Sequence, residues 1–324
     1  MLLKSIQPGC GQIEIRKILT ELSPPFISAK SWAIADGRTG QVLFGRGDSD
    51  KREIASLTKI MTAYLALRLS SIYNVDLYHI YAAASERAAT LGGTTAMLKE
   101  GDKLSLIDLL HGMLLPSGND AAIVVAEYFG CLLIKPKTKD KKTTPSNTSH
   151  NETLTPEMAF VIEMNNMAKQ LKLPGTFFWN PHGMFHYYNR STAAELARLS
   201  SIAMRDVTFK EIVSKKSYIA IGYDSTGKEK EYFWQNTNKM LGKSGCNGIK
   251  TGVTETAGPC LVTNLQLKAF RFIVVLLNSK TMDTRWDEVI KLKEWAIERL
   301  KQIEKISKKN KKYKRKVLRT FKHI

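Results

Sequence analysis

An α+β fold is predicted by three observations: strand-like alternation near both ends of the chain, helical spacing through its middle, and no repeat that links strand to helix along the way. Strands so far apart in sequence are expected to meet in one antiparallel sheet, with the helices forming a second lobe inserted between them. A chain of 324 residues has room for one large or two small domains, and 43% hydrophobic with 24% charged residues is an ordinary globular composition. Those proportions exclude wholesale disorder, a collagen-like repeat and a disulfide-stapled miniprotein. The longest apolar runs, such as 272–277, fall far short of the roughly 20 residues that span a bilayer.

A β run at 32–35, a turn at Asp36-Gly37-Arg38-Thr39-Gly40 and a second run at 42–44 read as a hairpin. Residues 56–69 carry Ile60, Tyr64, Leu65 and Leu67 at helical spacing, with the helix starting at Ser56. Further helices are expected at 105–115, 119–133, 156–172 and 191–205. Between them, 135–153 contains none of the large apolar side chains, can bury almost nothing and reads as a solvated insertion loop. Beyond Lys215 the period becomes that of strands, at 218–221, 232–234, 248–252, 260–265 and 270–277, each bounded by turn residues. A last helix over 283–303 carries Trp286, Val289, Ile290, Trp295 and Leu300 as a core-facing stripe.

The formal charge of +19 is concentrated at one end. Residues 301–324 hold eleven Lys or Arg against the single acid Glu304, a net +10, which leaves +9 for the other 300 residues. Such a tail suits an anionic surface, whether membrane, nucleic acid or cell-wall polymer, or serves only to keep the chain solvated; no specific nucleic-acid partner is expected. Four cysteines (Cys10, Cys131, Cys246, Cys260) are too few for a disulfide scaffold and lack metal-ligand spacing, so no structural metal is expected. Cys246 and Cys260 flank one strand and either pair or remain buried thiols. The start turns polar after Leu3, so no secretory signal is read there and the compartment stays open. Glycosylation triplets at Asn147, Asn151 and Asn189 would matter only in a secreted protein.

Chemistry concentrates in Ser56-Leu57-Thr58-Lys59. A serine at a helix N-terminus lies among backbone N–H groups able to stabilise a developing oxyanion, and a lysine three residues on projects from the same face. That lysine can act as a base where burial and a second cation push its pKa down; the bland alternative is that Ser56 only caps the helix. Ser225-Thr226-Gly227-Lys228 has the same form, but Asp224 and Gly227 mark a turn. Ser117-Gly118-Asn119 fits a Ser-x-Asn signature, as does Ser149-His150-Asn151 in the polar loop. Lys250-Thr251-Gly252 fits Lys-Thr-Gly, with Lys243-Ser244-Gly245 as a near copy. Context separates them: Ser117 lies at the junction of two apolar helices and Lys250 on a strand. His182, His186, Tyr187 and Tyr188 also cluster, but His182 sits in an Asn-Pro-His-Gly turn and reads as structural.

The order Ser-x-x-Lys, Ser-x-Asn, Lys-Thr-Gly resembles the penicillin-recognising serine hydrolases. Longer stretches at 34–44, 54–62, 91–94, 114–122, 180–183, 191–193 and 236–238 look like the D-alanyl-D-alanine carboxypeptidases of that group, over roughly 28–298. The resemblance implies a β-lactamase/DD-peptidase-like fold, an antiparallel sheet flanked by helices plus a mainly helical lobe at about 60–205. It divides the chain into an N-terminal extension (1–27), a catalytic domain (28–300) with the 135–153 insertion, and the basic tail (301–324). It makes Ser56 the acylated nucleophile, Lys59 its general base and Ser117 a proton relay to the leaving group. Asn119 would bind the substrate amide, and the N–H groups of Ser56 and Val253 would form the oxyanion hole. Lys250, Thr251 and Gly252, with Arg285, would receive the terminal carboxylate, Lys250 also helping to keep Lys59 neutral. The alternative for Arg285 is a solvated charge at a helix start.

The implied substrate is a peptidoglycan peptide ending in D-alanyl-D-alanine, with β-lactams acylating the same serine and no metal or organic cofactor. The alternatives are a β-lactamase-like hydrolase or esterase on the same fold, or a non-catalytic peptidoglycan-binding module. The Glu-x-x-Leu-Asn stretch that supplies the deacylating carboxylate of class A β-lactamases is absent, and a pure binder need not keep nucleophile and base together. The family usually carries a secretory signal and often a further all-β domain; neither is read here, and the insertion and basic tail depart from its pattern.

Overall fold

The computed structural model describes residues 23–134 and 154–309. The insertion 135–153 with Asn147 and Asn151, the copy Ser149-His150-Asn151, Cys10 and the tail beyond Lys309 lie outside the described residues.

Strands β1 (Ser31–Asp36) and β2 (Val42–Arg46) form the expected hairpin, turned by Asp36, whose Oδ1 accepts the Arg38 and Thr39 N–H groups at 3.1 and 2.8 Å. There follow helix α1 (Lys59–Tyr73), short strands β3 (Tyr81–Ala83) and β4 (Lys103–Ser105), and helices α2 (Leu106–Leu114), α3 (Asn119–Ile134), α4 (Pro156–Gln170), α5 (Ala193–Ala203) and α6 (Val207–Ser214). Strands β5 (Ser217–Tyr223), β6 (Glu229–Gln235), β7 (Cys246–Gly252), β8 (Cys260–Gln266) and β9 (Arg271–Leu277) precede the last helix, α7 (Thr284–Lys309). Side-chain oxygens one residue ahead of a helix fix several starts: Ser105 Oγ accepts the Asp108 N–H at α2, Thr155 Oγ1 the Met158 N–H at α4, and Thr192 Oγ1 the Glu195 N–H at α5.

The chain divides into two compact units. Among the described residues, one comprises those from 23 to Leu57, Ser191–Ser214 and those from Asn238 to Lys309. Its sheet has the order β2-β1-β9-β8-β7, antiparallel throughout, with Trp32 opposite Leu276 and Val262 opposite Lys250. Trp32, Ile34, Phe272, Val274 and Leu276 share a buried cluster with Val289, Leu292, Ala296 and Leu300 of α7; of the stripe read from the sequence, Val289 and Leu300 lie in this cluster, and Trp286, Ile290 and Trp295 pack against it partly buried. Alternation along β1 turns Ala33 and Ala35 to the other face, where α5 packs. Because both faces are covered, the 272–277 run is apolar without interruption. α7 continues to Lys309, past the expected end at 303, and Ile303, within the stretch read as tail, is buried.

The second unit holds the described residues of Thr58–Arg190 and Lys215–Thr237. Its helices α1, α2 and α3 are buried over most of their length, and its four-stranded sheet has the order β3-β4-β5-β6. The expectation of a single sheet is therefore corrected. The strands at 217–223 and 229–235 pair with each other and with two strands too short to stand out in the sequence, and not with the five-stranded sheet. Their burial alternates, Ala220 and Gly222 inward with Ile219 and Ile221 exposed, as in a sheet with one solvated face. That alternation is the signal separating them from the continuous run at 272–277. In the first unit, helix α6, not anticipated, buries Phe209, Ile212 and Val213 at the i, i+3, i+4 spacing of one helix face.

Candidate active site

The Ser-x-x-Lys segment begins as a tight 3-10 turn, Ala55–Thr58, and only then becomes α1. The cap of α1 is Thr58 rather than Ser56, so Ser56 stands two residues ahead of the cap position. Ala55 takes a left-handed conformation at φ 48°, a strained geometry for a residue with a Cβ. Every residue from Ile54 to Ala63 is buried except Ser56, which is partly exposed. The chain crosses from the first unit to the second between Leu57 and Thr58, inside this motif.

In the first unit, Gly252 at the end of β7 lies against the backbone that carries Ser56. A Cβ there would sit 3.0 Å from the Ile54 carbonyl oxygen, 3.1 Å from the Ser56 nitrogen and 3.2 Å from the Ala55 Cβ, so only glycine permits this approach without displacement. Lys250, two residues earlier, is buried and donates from Nζ to the Thr251 carbonyl at 3.2 Å. Burial, and then the Arg285 guanidinium, push its ammonium down to about 7. Thr251 is buried and Val253 is exposed.

Arg285 corrects an alternative: it is no solvated helix-start charge. It lies in the first turn of α7, 3% exposed, and its Nη1 donates to the carbonyls of Cys260 at 3.0 Å and Gly252 at 3.4 Å. Its guanidinium carbon stands 4.4 Å from the Trp286 ring centre. Among the described residues its Nε has no partner. Cys260 and Cys246 stand at opposite ends of the β7–β8 pair, opposite Gly252 and Leu265, and both are free thiols. Burial pushes Cys260 up to about 11.

In the second unit, the buried Lys59 Nζ donates to Asn119 Oδ1 at 2.7 Å and to the His182 carbonyl at 2.6 Å. Asn119 is held in turn: its N–H donates to the Thr94 carbonyl at 2.8 Å and its Nδ2 to the Gly92 carbonyl at 3.0 Å. Ser117 is buried with φ 71°, its carbonyl accepting from Thr94 Oγ1 at 2.7 Å. Its Oγ has no hydrogen-bond partner among the described residues. An unsatisfied buried hydroxyl on a left-handed serine costs stability twice. Asp120 braces this corner by accepting the Ala96 and Leu98 N–H groups and Thr95 Oγ1.

The structure thus places Lys59 with Asn119, and Ser56 with Gly252 and the Lys250 strand. The segments 91–94 and 180–183 were singled out without a role in the sequence reading; they supply the backbone carbonyls that hold Asn119 and Lys59. His182 itself is buried, and burial followed by the Lys59 cation pushes its imidazole down to about 3. The copies sit elsewhere. Ser225 is exposed in a turn around Asp224, whose Oδ1 accepts from Thr226 and Lys228, and Lys243 is exposed. Asn189 is buried and donates from Nδ2 to Thr58 Oγ1 at 3.2 Å, which leaves no room for a glycan on it. Among the described residues no group of three His, Cys, Asp or Glu side chains could hold a metal ion, and no helix is long and apolar enough to cross a membrane.

A family model described as D-alanyl-D-alanine carboxypeptidase matches residues 19–131 and 155–281. The chain belongs to this family. It is 31% identical to the D-alanyl-D-alanine carboxypeptidase DacC of Escherichia coli over 84% of its own length and 62% of that protein's. It is 30% identical to a D-alanyl-D-alanine carboxypeptidase of a Streptomyces species over 84% of this chain and 88% of that one. Among solved structures, a Streptomyces DD-transpeptidase superposes with a TM-score of 0.73 at 28% identity, covering 85% of this chain and 99% of the other. The D-alanyl-D-alanine carboxypeptidase DacD of Francisella tularensis gives 0.71 at 26% identity, covering 85% and 71%. The match spans less than two thirds of the enterobacterial relatives, 62% of DacC and 64% of the Escherichia coli DacD. The α+β fold expected from the sequence is the fold of these neighbours.

Proposed function

We propose that the chain is a serine-type D-alanyl-D-alanine carboxypeptidase acting on peptidoglycan peptides. The Ser56 hydroxyl attacks the carbonyl of the penultimate residue, the terminal D-alanine leaves, and water releases the acyl group from Ser56. Lys59 takes the serine proton, and Ser117 passes a proton to the leaving amine. The N–H groups of Ser56 and Val253 stabilise the oxyanion, and Asn119 binds the substrate amide while its Oδ1 accepts from Lys59 Nζ. Lys250 and Thr251, backed by the buried Arg285, receive the terminal carboxylate beside Gly252.

The observation that carries this reading is the single opening at Ser56 in an otherwise buried run, with a buried lysine three residues on. A serine kept only as a cap would sit at Thr58. β-Lactams, whose strained amide resembles the scissile bond, acylate the same oxygen. Peptidoglycan lies outside the cytoplasm, and a protein acting on it would work there. The basic tail then suits the anionic surface of the wall or membrane.

The test is labelling of the full chain with a fluorescent penicillin, followed by mass mapping. The adduct is expected on the peptide containing Ser56, absent from Ser56→Ala and retained in Ser225→Ala; an adduct on the Ser225 peptide would sink the assignment.

A further inference from the structure

The loop that follows α4 carries an aromatic surface that the proposed chemistry leaves unused. Phe177, Trp179, Tyr187 and Tyr188 are between 46% and 64% exposed, a concentration of apolar rings that an ordinary solvated loop would not keep. The Trp179 and His186 rings are parallel, 3.9 Å apart at an angle of 4°. Tyr188 tilts against both at 6.0 and 5.7 Å, and Tyr187 meets it edge-on at 5.1 Å. At the rim, the Arg190 guanidinium carbon stands 4.8 Å from the Tyr187 ring centre.

The platform is fixed from beneath. Phe178 is fully buried with its N–H on Asn165 Oδ1 at 2.9 Å, and the backbones of Phe177 and Arg190 bond each other at 2.8 and 2.9 Å. The Trp179 N–H reaches Asn189 Oδ1 at 3.3 Å. Between its two halves the same loop supplies the His182 carbonyl that holds Lys59. The surface is therefore continuous in backbone with the candidate site, and rigid.

We propose that this platform binds the glycan to which the substrate peptide is attached, its rings stacking on the faces of N-acetylated sugars. The inference rests on the peptidase reading above for its choice of substrate. Pyranose rings present flat apolar C–H faces edged by hydroxyl and acetamido groups, which suits rings that offer a π face with polar tips. The charge pattern agrees: residues 175–192 contain no Asp or Glu, and Arg190 is the permanent cation at the rim, facing a glycopeptide that carries carboxylates.

Two measurements on the full chain test this. In Ser56→Ala, which cannot consume substrate, chitotriose is expected to quench tryptophan fluorescence, and adding Tyr188→Ala should weaken binding roughly tenfold with the melting temperature unchanged. In the active protein, kcat/KM is compared for a pentapeptide free and linked to its disaccharide. The linked form should be favoured, and Trp179→Ala should bring the ratio of the two towards one. Peptide turnover with no gain from the disaccharide and no chitotriose binding would overturn the proposal. Chitotriose binding without D-alanine release from either peptide would support the platform and refute the peptidase reading. Trp179-dependent sedimentation with phosphatidylglycerol vesicles, with no chitotriose effect, would make the loop a membrane contact and overturn the proposal.

Discussion

Replacing Lys250 by methionine should stabilise the protein, and by an amount that depends on pH. Lys250 is buried on β7, and burial together with the Arg285 cation brings its pKa from 10.5 to about 7. In the unfolded chain it recovers its ordinary value. Between about pH 7 and 10.5 the unfolded state then binds the extra proton, so stability rises with pH across that window. Below about pH 7 both states are protonated and the full penalty, roughly 5 kcal/mol at 1.36 kcal/mol per tenfold change in proton affinity, is present. Methionine fills a similar volume without charge and forfeits the hydrogen bond to the Thr251 carbonyl, worth about 1 kcal/mol. The net gain is therefore about 4 kcal/mol at pH 6 and about 1 kcal/mol at pH 9, where most of the penalty has gone. The 3 kcal/mol change corresponds to roughly 6 °C in the difference between the two melting temperatures. Thermal unfolding of wild type and Lys250→Met at pH 6 and pH 9 measures it. A difference that is the same at both pH values would refute the reasoning. Under the proposed function Lys250 receives the substrate carboxylate, so the stabler variant is also expected to be acylated more slowly by penicillin.

Gly252→Ala pushes a methyl against the Ile54 carbonyl and the Ser56 nitrogen, so penicillin acylation should slow by roughly tenfold; unchanged acylation would show that the Ser56 backbone need not stay where it is. His182 and His111, pushed by burial to about 3 and about 4, should show no imidazole titration by NMR between pH 5 and 8. Because their folded pKa values lie below the ordinary 6.5, both should cost stability as pH falls from about 6.5 towards 3, and a titration near 6.5 for either would contradict the burial described. Deleting 310–324 removes seven Lys or Arg, and should abolish salt-sensitive retention on an anionic polymer without lowering the melting temperature. A lowered melting temperature would mean that the segment packs on the body.

Local spacing made much of this protein legible in advance. The β1–β2 hairpin, the helices near 106–134 and the apolar stripe of the last helix follow from periods of 2 and 3.6 and from turn and cap residues, which act over a few neighbours. The motif order was equally legible, because Ser-x-x-Lys, Ser-x-Asn and Lys-Thr-Gly are each a few residues long. Which copy of each motif is buried was not. Lys250 and Lys243 sit in similar tripeptides, and what distinguishes them is that β7 is covered on both sides while 242–245 is exposed.

The sequence by itself determined the α+β class, the order of the elements it made visible and the candidate serine and lysine, since these depend on residues adjacent along the chain. The tertiary structure alone decided that the late strands belong to two sheets, because pairing joins β5 to residues more than a hundred positions earlier and no local pattern records a partner. It also decided that Lys59 is held by Asn119 and the His182 carbonyl, that Arg285 lies buried against Gly252 and Cys260, and that Lys250 sits near neutrality. Burial and proton affinity are set by whatever surrounds a group from every direction, and most of those neighbours are distant in sequence.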